Sequence, residues 1–197
     1  MAEVLIVYAT LLGYTRRIAE CVADDLRANG HAATVVDVAE APAPGGFDAA
    51  IVGAAVCDAS LLESIEAYVR AHAGELRSLP SALFSVCAPD EHDDRSCRLA
   101  LDGYLRGLQD EVRWYPDLIA NFAGMQPFTH IGLAHQVLGA ERPAPTGSGS
   151  HDGGGRVREG SEGTDWDAVS GFVEAFVHHL ARSFESARLS SARRASA

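Results

Sequence analysis

The sequence predicts an α/β domain, a doubly wound, five-stranded parallel sheet with helices on both faces. Three observations lead there. Short apolar, β-branched runs alternate with longer amphipathic runs along the chain. The apolar runs are nearly continuous rather than alternating, as strands covered on both faces require. Strands and helices alternate, with a Pro/Gly loop between the second and third strands, which implies right-handed crossovers and parallel strands. A strand order of 2-1-3-4-5 puts a switch point between the first and third strands, where ligands bind outside the carboxyl ends.

The first strand is the run from Val4 that ends at Thr10, and an amphipathic helix follows with Ile18, Cys21, Val22 and Leu26 on its apolar side. Ala32–Val38 is the second strand, and the Pro/Gly-rich Glu40–Gly46 is a loop. Asp48–Val56 is the third strand. The helix Leu61–Leu76 follows, burying Leu62, Ile65, Tyr68, Val69 and Leu76, and Pro80 punctuates the chain before the fourth strand, Ser81–Ala88. Asp94–Val112 is a third helix, Leu118–Gly124 the fifth strand and Asp165–Ala187 the closing helix. Residues 1–185 thus form one domain. It carries an insertion at 125–163, in which Phe128–Leu138 forms a short helix and Arg142–Gly163 is rich in Gly, Pro and Ser. Residues 186–197 are a disordered tail with three solvated arginines.

Composition narrows the function classes. At 197 residues the chain builds one sizeable core. The net charge of −11 argues against nucleic acid and against simple electrostatic docking on anionic lipid. All 16 basic residues are Arg, which reads as coding bias rather than function. Four cysteines without CxxC spacing make no disulfide framework, so a reducing cytoplasm is the expected location. The apolar run from Val4 is too short for a signal peptide, and no run of about 18 apolar residues could span a bilayer.

The turn Thr10-Leu11-Leu12-Gly13-Tyr14-Thr15 joins the first strand to the first helix. A helix N-terminus presents free backbone N–H groups to an anion. Thr10 and Thr15 add hydroxyl donors, and Gly13 permits close backbone approach. The loop is built to hold a phosphate, against the plainer alternative of an ordinary β–α turn.

Together with four other pieces, this loop carries a family resemblance. They are Thr10-x-x-Gly13-x-Thr15-Arg16, Leu79-Pro80-Ser81-Ala82-Leu83-Phe84-Ser85-Val86, Arg113-Trp114-Tyr115-Pro116-Asp117, Ala123-Gly124 and Thr164-Asp165-Trp166. With them the chain resembles the flavodoxin-like proteins from Val4 to about Leu180, and more narrowly the flavodoxin-type, quinone-dependent protoporphyrinogen oxidases. The resemblance implies a flavodoxin-like fold and an FMN cofactor. Thr10, Leu11, Leu12, Gly13, Tyr14 and Thr15 would wrap its phosphate. Cys57, Asp58 and Ala59, with Cys87, Ala88 and Pro89, would flank the isoalloxazine ring. It also implies hydride transfer from a small-molecule substrate such as a porphyrinogen to a membrane quinone. Such chemistry asks the protein for position and electrostatics rather than an acid–base pair, so no catalytic side chain is assigned.

The chain departs from the family pattern at three places. Leu11 and Leu12 offer no side-chain oxygen, which throws phosphate binding onto the backbone and the two threonines. No aromatic follows the third strand before Tyr68, and Asp58 disfavours an anionic reduced flavin. The loop Ala88–Arg95 is acidic around His92, which suits a substrate bearing propionates poorly. Two readings therefore stand: an FMN-dependent oxidoreductase, or a flavodoxin-fold protein that has lost FMN and acts as a binding or accessory module. The second would use Cys57, Cys87, Cys97, Asp58, Asp90 and His92 as a ligand or redox face. No spacing there matches a known metal site, and small thiols suit strand ends, so no metal is assigned. The segment 128–138, with His130 and His135, suits a lid, a homodimer contact or peripheral contact with a membrane. His178 and His179 fall at the edge of the last helix's apolar face. Trp114 and Trp166 are packing anchors at element starts away from the binding edge.

Overall fold

The structure, a computed structural model, describes residues 1–57, 60–87, 95–124 and 164–195, with backbone alone for Cys57, Ser96, Cys97 and 189–195. The strands are β1 (Glu3–Ala9), β2 (Ala32–Asp37), β3 (Ala49–Cys57), β4 (Ser60–Leu61), β5 (Ser81–Cys87) and β6 (Leu118–Ala123). The helices are α1 (Tyr14–Ala28), α2 (Glu63–Leu76), α3 (Arg95–Val112) and α4 (Trp166–Ala195). The sheet runs β2-β1-β3-β5-β6, all parallel. This is the predicted order, because β4 lies off the path and pairs antiparallel with the end of β3.

Several boundaries differ by a residue from those the sequence predicts, and three differences bear on the architecture. Ser60 and Leu61 turn back to pair with Cys57 and Val56, so α2 begins at Glu63 rather than Leu61. Strand β2 stops at Asp37, whose side chain accepts the Ala39 N–H at 3.0 Å and starts a 3-10 turn over Val38–Glu40. Helix α4 runs to Ala195, through residues the sequence reading assigned to the tail.

The pleat divides the core in two. Val4, Ile6 and Tyr8 face α1 and α4, whereas Leu5, Val7 and Ala9 face α2 and α3. The expected apolar side of α1, Ile18, Cys21, Val22 and Leu26, is buried, as are Ile65, Tyr68, Val69 and Leu76 of α2; Leu62 is partly covered. Each fully buried Leu, Ile or Phe contributes about 1.5–3 kcal/mol through removal from water. On the α1/α4 face, Phe84, Phe122 and Phe172 form a triangle with ring centroids 5.9–6.3 Å apart. Gly53 sits opposite Phe84 in the sheet, and a Cβ there would lie 2.2 Å from the Phe84 ring. Glycine at 53 is what lets that ring lie across β3.

Candidate functional site

The turn after β1 is organised by its own residues. Thr10 Oγ1 accepts the Gly13 N–H at 2.9 Å, and the Gly13 carbonyl accepts the Arg17 N–H at 3.1 Å as the first bond of α1. Thr10 therefore shapes the loop as an acceptor, and its own proton remains to be donated. Gly13 caps α1 with φ +86°, a left-handed conformation that costs any other L-residue about 1–2 kcal/mol. Among the described residues no atom lies within 4 Å of a Cβ built on Gly13, so they leave the space above the loop open.

That open space faces the first turn of α1, whose N–H groups have no intrahelical acceptor and which carries no acidic residue. Thr15 is 1% exposed, and among the described residues its hydroxyl has no hydrogen-bond partner. A buried orphan hydroxyl costs about 1–3 kcal/mol. A phosphate oxygen at the helix N-terminus would relieve that cost, so the residues present fit a phosphate. Leu11 and Leu12 are 58% and 62% exposed and point to solvent. Tyr14 packs partly against the α1/α4 core.

The carboxyl ends of β1, β3 and β5 lie side by side, as the switch-point argument requires. Ala9 pairs with Ala54, so β3 continues beyond β1 to Cys57. Cys87 ends β5 with its side chain buried in the α2/α3 core, and its carbonyl accepts the Gly124 N–H at 2.6 Å. Asp58, Ala59, Ala88 and Pro89 lie outside the described residues, as do Asp90, His92, His130 and His135. Among the described residues no group of three or more His, Cys, Asp or Glu is placed to hold a metal ion.

The start of α4 joins this edge, which the sequence reading did not anticipate. Thr164 Oγ1 donates to the Ala123 carbonyl at 3.0 Å, tying the chain to the carboxyl end of β6. Asp165 then caps α4 by accepting the Ala168 N–H at 3.0 Å. Trp166 follows, with Arg17 Cζ 5.7 Å from its ring centroid. The placement of Trp166 away from the binding edge is thus corrected, because a helix that follows a parallel strand starts at that strand's carboxyl end. Trp114 does lie at the opposite edge, donating its Nε1–H to Ser81 Oγ at 2.9 Å. Neighbouring Arg16 turns to Glu20 at 2.8 Å, a hydrogen bond that raises its guanidinium pKa above the ordinary value.

The His178–His179 expectation also resolves: His178 is exposed, and His179 Nε2 lies 3.3 Å from Asp117 at the far end of the sheet. Nothing in the α1 sequence signals the Arg17–Trp166 contact. The Thr164-Asp165-Trp166 triplet does carry a readable signal, since Asp at a helix start is a cap.

The flavodoxin domain pattern matches residues 5–137. The chain is 26% identical to the protoporphyrinogen IX dehydrogenase (quinone) of Escherichia coli strain K12 over 186 residues, covering 89% of this chain and 95% of that protein. It is also 26% identical to the Leishmania major protein of the same name over 175 residues, covering 87% and 73% respectively. Among solved structures, rubredoxin oxygen:oxidoreductase from Desulfovibrio gigas superimposes with a TM-score of 0.56 at 11% identity, over 92% of this chain and 37% of that one. That likeness speaks to the fold alone. With the family pattern spanning most of the chain and the doubly wound sheet beneath it, the protein belongs to the flavodoxin domain family.

Proposed function

We propose that the chain is an FMN-dependent oxidoreductase that moves reducing equivalents from a small organic donor to a quinone, in the manner named for its protoporphyrinogen IX dehydrogenase relatives. The observation that carries this reading is the turn after β1. Gly13 is left-handed under open space, the N–H groups of α1 are presented to it, and the Thr15 hydroxyl is buried without a partner. Bound FMN supplies the hydride chemistry. The residues of the chain bind and orient it, with Thr10, Thr15 and the backbone from Leu11 to Thr15 around the phosphate. The loops after Cys57 and Cys87 would lie beside the ring.

A second reading, a flavodoxin-fold protein that works as a binding module without FMN, draws on Leu11 and Leu12. Both are exposed at the tip of the loop and offer the phosphate no side-chain oxygen. Each charge-assisted hydrogen bond forgone costs roughly 1.5–3 kcal/mol.

The visible spectrum of the purified protein, taken before and after FMN addition and desalting, separates the two. Retained flavin bands are expected. Gly13→Val is expected to abolish FMN retention while leaving the circular dichroism of the helices intact. Protein that neither retains FMN nor quenches its fluorescence would sink the oxidoreductase reading.

A further inference from the structure

Helix α3 is packed on one side only. Leu101, Leu105 and Leu108 are buried in the α2/α3 core. On the opposite side Leu99, Gly103 and Gly107 recur at every fourth position, all exposed. Among the described residues nothing lies within 4 Å of a Cβ built on either glycine, so this row is a shallow groove. Glycine in a helix interior is destabilising relative to alanine, and no contact among the described residues calls for it here. Apolar side chains flank the groove. Tyr115 is held beside the end of α3, where its hydroxyl donates to Asp110 Oδ1 at 2.7 Å. Leu118 and Ala120 of β6 face the α1/α4 core, so Ile119 between them faces the α3 side. Leu99, Tyr115 and Ile119 are 59%, 60% and 46% exposed.

A charged ridge runs beside the groove. Arg98, Asp102, Arg106 and Asp110 also recur at every fourth position, and all are exposed. Their signs alternate, a pattern that can serve ion pairs within one helix. Those pairs are not made among the described residues. Arg106 instead donates its Nε–H to the Asp102 carbonyl at 3.1 Å, and Asp110 accepts the Tyr115 hydroxyl. The order of charges has a symmetry. Turned end for end about Tyr104, the ridge sets Arg98 opposite Asp110 and Asp102 opposite Arg106. Two copies of α3 lying antiparallel about a two-fold axis therefore present opposite charges at all four positions. Parallel copies in register would present like charges. Ridges of this spacing packed into matching grooves are the commonest form of helix pairing, and the glycine row supplies the groove.

We propose that the outer face of α3 is a homodimer interface, in which α3 packs antiparallel against α3 of a second copy. The glycine row admits the partner's ridge, Asp102 and Arg106 pair across the axis, and Leu99, Tyr115 and Ile119 are covered. A net charge of −11 on each chain opposes association in general, so a self-complementary ridge is the feature that lets two copies meet. One helix and its flanks make an interface near the lower end of specific contacts, about 1,200 Å² in total, so the dimer is concentration-dependent. The interface does not draw on the flavin reading.

Sedimentation equilibrium of the full chain over a range of concentrations is the test. The wild-type protein is expected to show a monomer–dimer equilibrium that weakens as salt rises. Asp102→Arg sets Arg against Arg at both symmetry-related contacts, and Arg106→Asp sets carboxylate against carboxylate. Each should weaken dimerisation at least about 10-fold. The double variant Asp102→Arg/Arg106→Asp exchanges the charges and keeps opposite signs facing, so it should return to within about threefold of the wild type. Gly103→Leu fills the groove where the chain itself leaves room, and should abolish the dimer. At concentrations where the wild type is monomeric, Gly103→Leu should also raise the midpoint of thermal unfolding, which separates a blocked interface from a failed fold. A wild-type chain that stays monomeric throughout overturns the proposal. So does a dimer indifferent to Asp102→Arg and Gly103→Leu, or a double variant no stronger than the single ones.

Discussion

The two edges of the sheet are built on opposite principles. At the amino edge, polar groups are closed against one another. The Ser81 N–H donates to Asp117 Oδ2 at 2.9 Å, the Asp117 N–H returns a bond to the Ser81 carbonyl at 2.7 Å, and Trp114 caps the Ser81 hydroxyl. Glu3 and Asp48 exchange a second reciprocal pair at 2.8 and 2.9 Å. At the carboxyl edge, the α1 turn is left with unspent donors, an orphan Thr15 hydroxyl and a glycine under open space. The amino edge has spent its hydrogen-bonding capacity within the fold, whereas the α1 turn at the carboxyl edge keeps donors that the fold does not use. The difference begins in the backbone, because helices start at the carboxyl ends of parallel strands and present free N–H groups there, and side chains then decide which polar groups are satisfied.

If that division holds, damage at the amino edge should lower stability without touching ligand affinity. The largest effect is expected from Trp114→Ala, which removes a nearly fully buried indole and strands the buried Ser81 hydroxyl. A loss of about 3–5 kcal/mol in urea unfolding is predicted. FMN affinity of the folded fraction should be unchanged, and a parallel loss of FMN affinity would break the comparison.

A smaller, opposite effect is expected at Arg113. It follows the end of α3 with φ +53° and is the one non-glycine residue with positive φ among the described residues. Arg113→Gly removes the left-handed penalty and gives back part of the gain as unfolded-state entropy. A net stabilisation of about 0.5–1 kcal/mol is predicted, read as a raised midpoint of thermal unfolding; no rise would mean that the Arg113 side chain offsets the strain.

The smallest effect concerns pH. His31 Nδ1 accepts the Ala2 N–H at 3.3 Å at the start of β1, which requires the ring to be neutral. Burial, and secondarily the N-terminal ammonium, hold its pKa below the ordinary 6.5. The unfolded chain therefore takes up this proton first. The contribution of His31 is complete above pH 6.5 and is lost as pH falls below it toward the folded value. His31→Gln should flatten the decline of stability below pH 6.5, with FMN affinity at neutral pH unaltered. An unchanged acid limb would assign that decline to other groups.

The fold and the glycine turn after β1 are legible in the sequence for the same reason: both are local. Uninterrupted apolar runs specify strands buried on two faces, and Thr10, Gly13 and Thr15 sit within one turn. The strand β4 was not legible, because two residues carry no periodicity and pairing with Val56 and Cys57 defines them. Trp166 packs against the core as expected, but its edge was not legible, since an indole at a helix start looks the same in sequence whatever stands opposite it. Its partner Arg17 lies near the other end of the chain and meets it only because α1 and α4 share a face of the sheet.

By itself the sequence determined the strand order, the faces of α1 and α2, and a glycine-bearing turn suited to a phosphate, since each follows from spacing within a few residues. Tertiary structure alone decided which polar groups found partners. Ser81 met Trp114 and Asp117, Arg17 met Trp166, and Thr15 met nothing among the described residues. Hydrogen bonds and cation–π contacts act over a few ångströms, and only the packed sheet brings residues so distant in sequence within that range.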